Sequence, residues 1–458
     1  MTRSSTPPVD GRPLTEAERT LWLGQQLDPG TPLYNMAVAV SFDVELDADR
    51  LQRAIDRVVE GADALRTTVR DDGPEPRAVV MSDASLELEV ISVDPASWFD
   101  GGVRDLVDAR VRAPLRPDRC MTDLVLVRGG GRSLLYIGQH HLVTDAISMG
   151  LLYRRLADAY QADEGAPGVE QAGQFAAYAE SLHERRDSRA TRRAVQHWGG
   201  SRAPRAEPPS FFGRRPDGAG RTDRVRVSLG EERAARLAEL ITWPEFRALS
   251  EHHARFLVFA TVLGAWASRA MDTRQVSIGV PSHNRTSPRL RDTLGLFVEL
   301  YPLRLGIESG DSLRTLARKV ADSSLTMMRH AVPGVGGAPG ARDFHVVLNY
   351  ITAGFGDFAG HPGRVDWVHP GAGDPAHAIR LQVHDFEGTG VPTLDFDLDR
   401  SVFGDLERRW VVDHFFRTLD ALSEDPDRSI AELPLGSWQE EEAFAPRGAS
   451  VTPEGGVL

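Results

Sequence analysis

Two adjacent histidines and an aspartate, in the string GQHHLVTDAISMG at residues 138–150, are the side chains best placed to do chemistry. They follow directly on an apolar run that ends at Ile137, and a strand end is a rigid mount. A histidine there can accept or donate a proton near neutral pH. Asp145, four residues after His141, can orient an imidazole or fix the local backbone. By residue type alone two plainer readings stand beside this one: histidines that only satisfy hydrogen bonds, and metal ligation. The metal reading is the weaker, because HExxH is absent and no third ligand is identifiable, so no metal is expected. GxSxG is absent around Ser148, and neither a Walker A motif nor a GxGxxG fingerprint is evident. A hydrolase elbow and a nucleotide site therefore lack support, and no bound cofactor is required.

The elements that must hold these residues are legible as alternating patterns. Apolar residues at helical spacing predict a helix over 14–27, and the β-branched run MAVAVSFDV a strand within 34–44. Leu51, Ile55, Val58 and Val59 form the stripe of a second helix. Residues 77–93 and 122–139 read as strands, the latter a hairpin around a glycine turn that leads into HH. Helices are expected at 146–160 and 174–191. Residues 199–220, dense in proline and glycine, read as a linker. Beyond it the same grammar resumes: strand 223–229, helix 231–240, apolar helix 256–271 and strand 275–280. A loop is expected over 327–342, strands at 344–351, 378–383 and 392–398, and a closing helix at 405–423. The expected organisation is an α+β fold with an N-terminal lobe 1–198, linker 199–220, C-terminal lobe 221–445 and a loose tail 446–458. Two halves of similar size suggest a pseudo-dimer with a site at the seam.

Composition narrows the partners. A chain of 458 residues with 41% apolar and 26% charged residues is a folded protein large enough for two lobes. A net charge of -13, with no basic arm, disfavours binding to nucleic acid. Cys120 is the sole cysteine, which excludes an intrachain disulfide and suits a reducing, cytoplasmic setting. The longest apolar stretch, residues 256–267, is too short to span a bilayer, and the N-terminal residues carry no apolar signal segment, so no membrane partner is expected.

HHLVTDAIS resembles the HHxxxDG signature of the condensation-domain superfamily of nonribosomal peptide synthesis, related by fold to chloramphenicol acetyltransferase. Further strings stand in that family's order. LTEAERTLWLGQQLDPGTPLYNMA at 14–37 resembles the opening motif, ALRTTV at 64–69 the second and GQFAAYAE at 173–180 the fourth. SIGVPSHNR at 277–285 followed by DTLGLFVELYPLRL at 292–305 is similar to the fifth, and FHVVLNY at 344–350 to the seventh. Ala146 stands where the family has glycine, Glu299 where it has asparagine and His283 where it has alanine. A sixth motif is not recognisable, and the Gly/Pro stretch 332–340 occupies its place.

The resemblance implies two chloramphenicol acetyltransferase-like lobes forming a V-shaped pseudo-dimer with the site at the seam. It implies an acyltransferase of natural-product biosynthesis, in which an acyl group arrives as a thioester on the phosphopantetheine arm of an acyl or peptidyl carrier protein. A small-molecule amine or alcohol attacks it to give an amide or ester. By the same resemblance His141 is catalytic, as a base or a positioning group, and His140 is supporting. Asp145 pairs with Arg285, expected as a bidentate guanidinium clamp between the lobes. Tyr301, Asn349, Glu299 and Ala146 are candidates for lining the substrate channel, with a packed tyrosine and an ordinary strand asparagine equally open for Tyr301 and Asn349. No carrier attachment site or adenylation core is recognisable, so a free-standing enzyme receiving its carrier in trans is expected. Two alternatives stay open: a coenzyme A or other acyl-carrier-dependent acyltransferase, and a catalytically silent recruiting domain.

Overall fold

Local sequence sets the start of the first helix. In the computed structural model, which describes residues 11–162, 173–200, 210–344 and 346–433, a short strand β1 (Arg12–Pro13) runs into α1 (Glu16–Leu27). The Glu18 backbone N–H donates to the Thr15 hydroxyl, and the Glu18 carboxylate accepts from the Thr15 N–H, a capping box. The N-terminal half then supplies β2 (Asn35–Phe42), α2 (Ala48–Gly61), β3 (Thr67–Arg70), β4 (Arg77–Val80), β5 (Leu88–Ser92) and α3 (Gly102–Arg112). The hairpin of β6 (Thr122–Gly129) and β7 (Arg132–His140) leads into α4 (Ala146–Gln161), followed by α5 (Phe175–Arg185) and α6 (Arg189–Gly200). The C-terminal half contains β8 (Thr222–Ser228), α7 (Glu231–Leu240), α8 (Glu251–Ala270), β9 (Gln275–Ser282), α9 (Pro288–Arg291), β10 (Glu299–Gly306) and α10 (Leu313–His330). It closes with β11 (Val346–Ile351), β12 (Arg364–Val368), β13 (Ile379–His384), β14 (Thr393–Asp399) and α11 (Asp405–Glu424).

Two main sheets repeat one pattern. In the first, ordered β12-β2-β7-β6-β5, the steps β2–β7 and β7–β6 are antiparallel and β6–β5 is parallel. In the second, ordered β10-β9-β11-β13-β14-β8, the steps β8–β14 and β14–β13 are antiparallel and β13–β11 is parallel. A long helix follows the second strand of each set, α4 after β7 and α11 after β14. This shared order is the internal repeat of a pseudo-dimer. Alternation along β7 explains the layers: Leu135 and Ile137 pack with residues of α2 and α4, while Leu134 and Tyr136 face Val103, Val107 and Val111 of α3. The second core is built around α8, buried continuously from Phe256 to Ser268, as expected of a helix apolar on all sides.

One strand does not respect the division into halves. β12 leaves the C-terminal half and pairs antiparallel with β2 of the first sheet, Arg364 opposite Ser41 through Val368 opposite Ala37. Phe355, Phe358 and Trp367 are buried in the first core. On the other side, Arg224 and Arg226 of β8 donate to the Trp367 carbonyl at 2.7 and 2.8 Å.

Several expectations need correction. Residues 174–191 form not one helix but α5 and the start of α6. The 77–93 segment is two strands in different sheets, β4 in a small β1-β4-β3 sheet and β5 in the first main sheet. The loop expected from 327 begins later, because α10 continues to His330 with its buried stripe Leu316, Val320 and Met327. Within 199–220, α6 runs to Gly200, and Phe211 is fully buried against Trp266 and Phe403. Residues 201–209 and the tail 446–458 lie outside the described residues. Among the described residues no helix is long and apolar enough to cross a membrane.

Candidate active site at the lobe seam

The two histidines sit where β7 ends, and their backbone is pinned on both sides. His140 N–H donates to the Met121 carbonyl at 2.8 Å and His141 N–H to the Tyr34 carbonyl at 2.7 Å. Their side chains then take opposite tautomers, fixed by their neighbours. His140 Nδ1 accepts from the Leu142 N–H at 3.1 Å, so its proton lies on Nε2, which donates to Gln25 Oε1 at 3.1 Å. Gln25 itself is held by donating to the carbonyls of Asp28, Pro29 and Thr31. Fully buried, His140 has its pKa pushed down to about 3, by desolvation first and then by His141. It is a neutral structural post.

His141 is the reverse. Its Nδ1 lies 2.8 Å from the Thr144 carbonyl, which can only accept, so Nδ1 carries the proton and Nε2 presents a lone pair. Nε2 makes no hydrogen bond among the described residues, and the side chain is partly exposed at the seam. Burial lowers its pKa, a tendency that the Thr144 carbonyl and Asp145 oppose and the charge of Arg380 reinforces. At neutral pH it is an uncharged imidazole with a free basic nitrogen.

Asp145 does not face His141 as a triad member. It caps α4, accepting from the Ser148 N–H at 2.7 Å, and reaches the other lobe by accepting from the Phe297 N–H at 3.0 Å. Arg285 Nη2 donates to both of its oxygens, at 3.1 and 3.3 Å. The expected bidentate fork is therefore replaced by one nitrogen bridging the carboxylate. The reason is local: Nη1 is committed to the carbonyls of Leu290 and Thr293 at 2.7 and 2.6 Å, and the guanidinium lies over the Phe297 ring at 4.1 Å. Nη2 also donates to Ser148 Oγ at 2.6 Å, and that hydroxyl donates to the Gly295 carbonyl at 2.7 Å. Gly295, at φ 145°, has no room for a side chain, since a Cβ there would lie 2.2 Å from the Phe175 ring. The start of α4 is thus bolted to the loop before β10.

The channel candidates are distributed unevenly. Ala146 opens α4, partly exposed beside Asp145 and packed on the first core. Asn349 is partly exposed on β11 with no side-chain hydrogen bond among the described residues. Tyr301 and Glu299 do not line an open channel: both are buried, and the Glu299 carboxylate accepts from the N–H groups of Gly334 and Gly336, each at 2.7 Å, and from the Tyr301 hydroxyl at 2.9 Å. A carboxylate, with its four lone-pair sites, suits the turn of 332–336, whose N–H groups converge on it. Burial raises the Glu299 pKa against those three bonds. Sequence reasoning missed Gln25, Thr144, Ser148 and Arg380. The D-x-x-S spacing of an N-cap carried a signal for Ser148, whereas nothing local marks Gln25 as the partner of a histidine 115 residues away. Among the described residues no three His, Cys, Asp or Glu side chains cluster as metal ligands.

A family model described as Condensation domain matches residues 10–336, the span that contains His140, His141, Asp145 and Arg285. The chain belongs to the condensation-domain family. Its fold is shared with the first condensation domain of the calcium-dependent antibiotic synthetase in complex with a substrate analogue, at 24% identity and a TM-score of 0.79 over 93% of this chain and 99% of that one. A starter condensation domain of rhizomide synthetase, a mutant in complex with C8-CoA and Leu-SNAC, is similar at 21% identity and a TM-score of 0.79, covering 92% and 96% of the two chains. The two-lobed, V-shaped pseudo-dimer of condensation domains therefore extends over nearly the whole chain. Among curated relatives, a linear gramicidin synthase of Brevibacillus parabrevis is 23% identical over 451 residues, 93% of this condensation domain. Phosphinothricin tripeptide synthetase PhsC of Streptomyces viridochromogenes is 27% identical over 320 residues, 67% of it. The chain spans 8% and 29% of the lengths of those two relatives.

Proposed function

We propose that this condensation domain joins a carrier-held acyl thioester to an amine or alcohol, with His141 Nε2 as the group that receives the nucleophile's proton. The observation that carries the reading is the locked tautomer of His141: the Thr144 carbonyl holds the proton on Nδ1, and the lone pair on Nε2 is left at the seam. The nucleophile's N–H or O–H donates to Nε2, and its lone pair attacks the thioester carbonyl carbon. The C–N or C–O bond forms, the C–S bond breaks, and the proton leaves on the thiol. His140, Gln25, Asp145, Ser148 and Arg285 act by holding the imidazole in place between an N-terminal lobe up to residue 198 and a C-terminal lobe from residue 221. The carrier-protein donor, a natural-product role and a cytoplasmic setting belong to the same proposal. The sequence relationship to peptide synthetases supports it.

The rhizomide starter domain in complex with C8-CoA favours one rival donor, an acyl coenzyme A. Intact-mass spectrometry of an acyl-loaded carrier protein, supplied separately with a panel of amines and alcohols, tests the reading. Acyl loss and equimolar product that require both acceptor and His141 are expected. Faster transfer from the matching acyl coenzyme A would replace the carrier with coenzyme A as donor. Carrier binding without transfer, or equal turnover by His141→Ala, would overturn the catalytic reading in favour of a recruiting role.

A further inference from the structure

The second sheet turns a polar face toward the first lobe. Strand alternation and register place Arg380, Gln382 and His384 of β13 on that face, opposite Asp397 and Asp395 of β14, with Arg224 and Arg226 of β8 beyond them and Asn349 of β11 on the near side. Nearly every polar group there has a partner. Arg224 pairs with Asp397 at 2.6 Å, Arg226 with Asp395 at 2.7 Å, Gln382 donates to Asp397 at 2.7 Å, and His384 lies 3.4 Å from Asp395. Arg380 and Asn349 are the exceptions: both are partly exposed, and among the described residues neither makes an ion pair or a side-chain hydrogen bond.

Arg380 is close enough to His141, Tyr34 and Asp374 for its charge to act on all three. The acids nearby are already engaged, Asp397 by Arg224 and Gln382, and Asp374 by the Ala376 N–H at 2.9 Å and by Arg342 at 3.8 Å. A guanidinium that makes no ion pair of its own among the described residues, on the sheet face turned toward the lobe of the reacting imidazole, is suited to an anion that arrives with a substrate. The phosphate of a pantetheine arm sits at the far end of the arm from its thiol, so it is not that anion when the thioester reaches His141. A free amino acid or hydroxy acid carries its carboxylate a few atoms from the nucleophile. Once an amino acid is tethered to a carrier, its α-carboxylate has become the thioester and its charge is gone.

Building on the proposed condensation reaction, we propose that Arg380, with Asn349 two residues along the register on the neighbouring strand β11, binds the carboxylate of the acceptor, and that the acceptor is a free amino or hydroxy acid. Arg380 is then a specificity residue that rewards an untethered acid across the seam from His141.

The test compares kcat/KM for each amino acid with that for its α-amide, using the acyl-loaded carrier protein above as donor and the full chain. The wild type is expected to favour the acid by about tenfold to a hundredfold, the range of one charge-assisted, two-point contact. Arg380→Gln should bring the ratio of acid to amide close to one, Arg380→Lys should keep part of it, and the unfolding temperature should move little. Preference for aspartate α-amide over alaninamide, with no preference for alanine, would assign the contact to a side-chain carboxylate. A wild-type ratio near one, or equal losses for acid and amide with a lower unfolding temperature, would overturn the proposal and make Arg380 structural. Transfer only to carrier-bound acceptors would overturn it while leaving the condensation reading in place. Transfer to no acceptor at all would overturn both.

Discussion

Removing the Arg285 side chain tests the bolt between the lobes. Arg285→Ala deletes donors to the Leu290 and Thr293 carbonyls, to Ser148 Oγ and to both oxygens of Asp145, and leaves the Asp145 carboxylate, buried with a side-chain exposure of 4%, facing only two backbone N–H groups. Breaking a buried pair by removing one partner costs about 3–5 kcal/mol, because the remaining charge stays desolvated. For lobes of roughly 200 residues each kilocalorie lowers the midpoint by about 2–4 °C, so a fall of roughly 6–20 °C is expected by calorimetry. Activity should fall with it, since α4 and the loop before β10 lose their register around His141. Asp145→Asn on the Arg285→Ala background should recover part of the loss, a non-additivity on the order of 1 kcal/mol or more in a double-mutant cycle. Unchanged unfolding, or strictly additive effects, would refute the idea that this pair holds the seam.

His141→Ala should lower transfer by about a hundredfold to ten-thousandfold with an unchanged unfolding temperature, and a variant near wild-type rate would remove His141 from the chemistry. Because burial depresses the His141 pKa below its usual 6.5, the basic form persists as pH falls, so the transfer rate should stay flat through pH 6.5 and decline only in more acid solution. Gln25→Leu should strand the buried Nε2–H of His140 and cost about 1–3 kcal/mol, read by chemical denaturation. With the His140 pKa near 3 in the fold, the unfolded chain takes up a proton below pH 6.5 and the folded one does not. Stability should therefore fall by about 1.4 kcal/mol per pH unit through that window, and a flat acid limb would contradict the assignment. Glu299→Gln should replace one acceptor oxygen with a second donor facing the N–H groups of 334 and 336, costing about 1–3 kcal/mol. It should raise proteolytic cutting in 332–336, and unaltered cutting would dismiss Glu299 as an anchor.

The amphipathic helices and the hairpin that mounts the histidines were legible because their periodicity is set by one buried face, as for α2 and the β6–β7 pair. The HHxxxD string marked His141 and Asp145 but not their partners Thr144 and Ser148, although each lies only three residues further on. What stayed hidden depends on contacts far apart in sequence. β12 carries the mixed string RVDWV and becomes a strand because β2 offers it an edge, and Gln25 becomes a histidine partner because α1 packs there. Glu299 and Tyr301 stayed ambiguous in the sequence because their chemistry suits a channel as well as a loop anchor. Only the position of the glycine N–H groups separates the two.

The borrowed strand β12 makes the N-terminal half a poor object to isolate. Without residues 364–368 the outer edge of β2 presents an open row of N–H and C=O groups flanked by Val38 and Val40, the kind of edge that recruits other chains into aggregates. A fragment cut near residue 200 carries that liability permanently, and the nascent chain carries it for about 320 residues of further synthesis, roughly 15–60 s at typical elongation rates. Soluble expression of the first half is therefore expected to need residues 364–368 supplied as a peptide, or fused as an extra strand after a linker. The same borrowing ties the C-terminal half of the chain to the first sheet by a ladder of backbone bonds, so that an opening of the seam that keeps this ladder pivots about β2 and β12 rather than parting the halves.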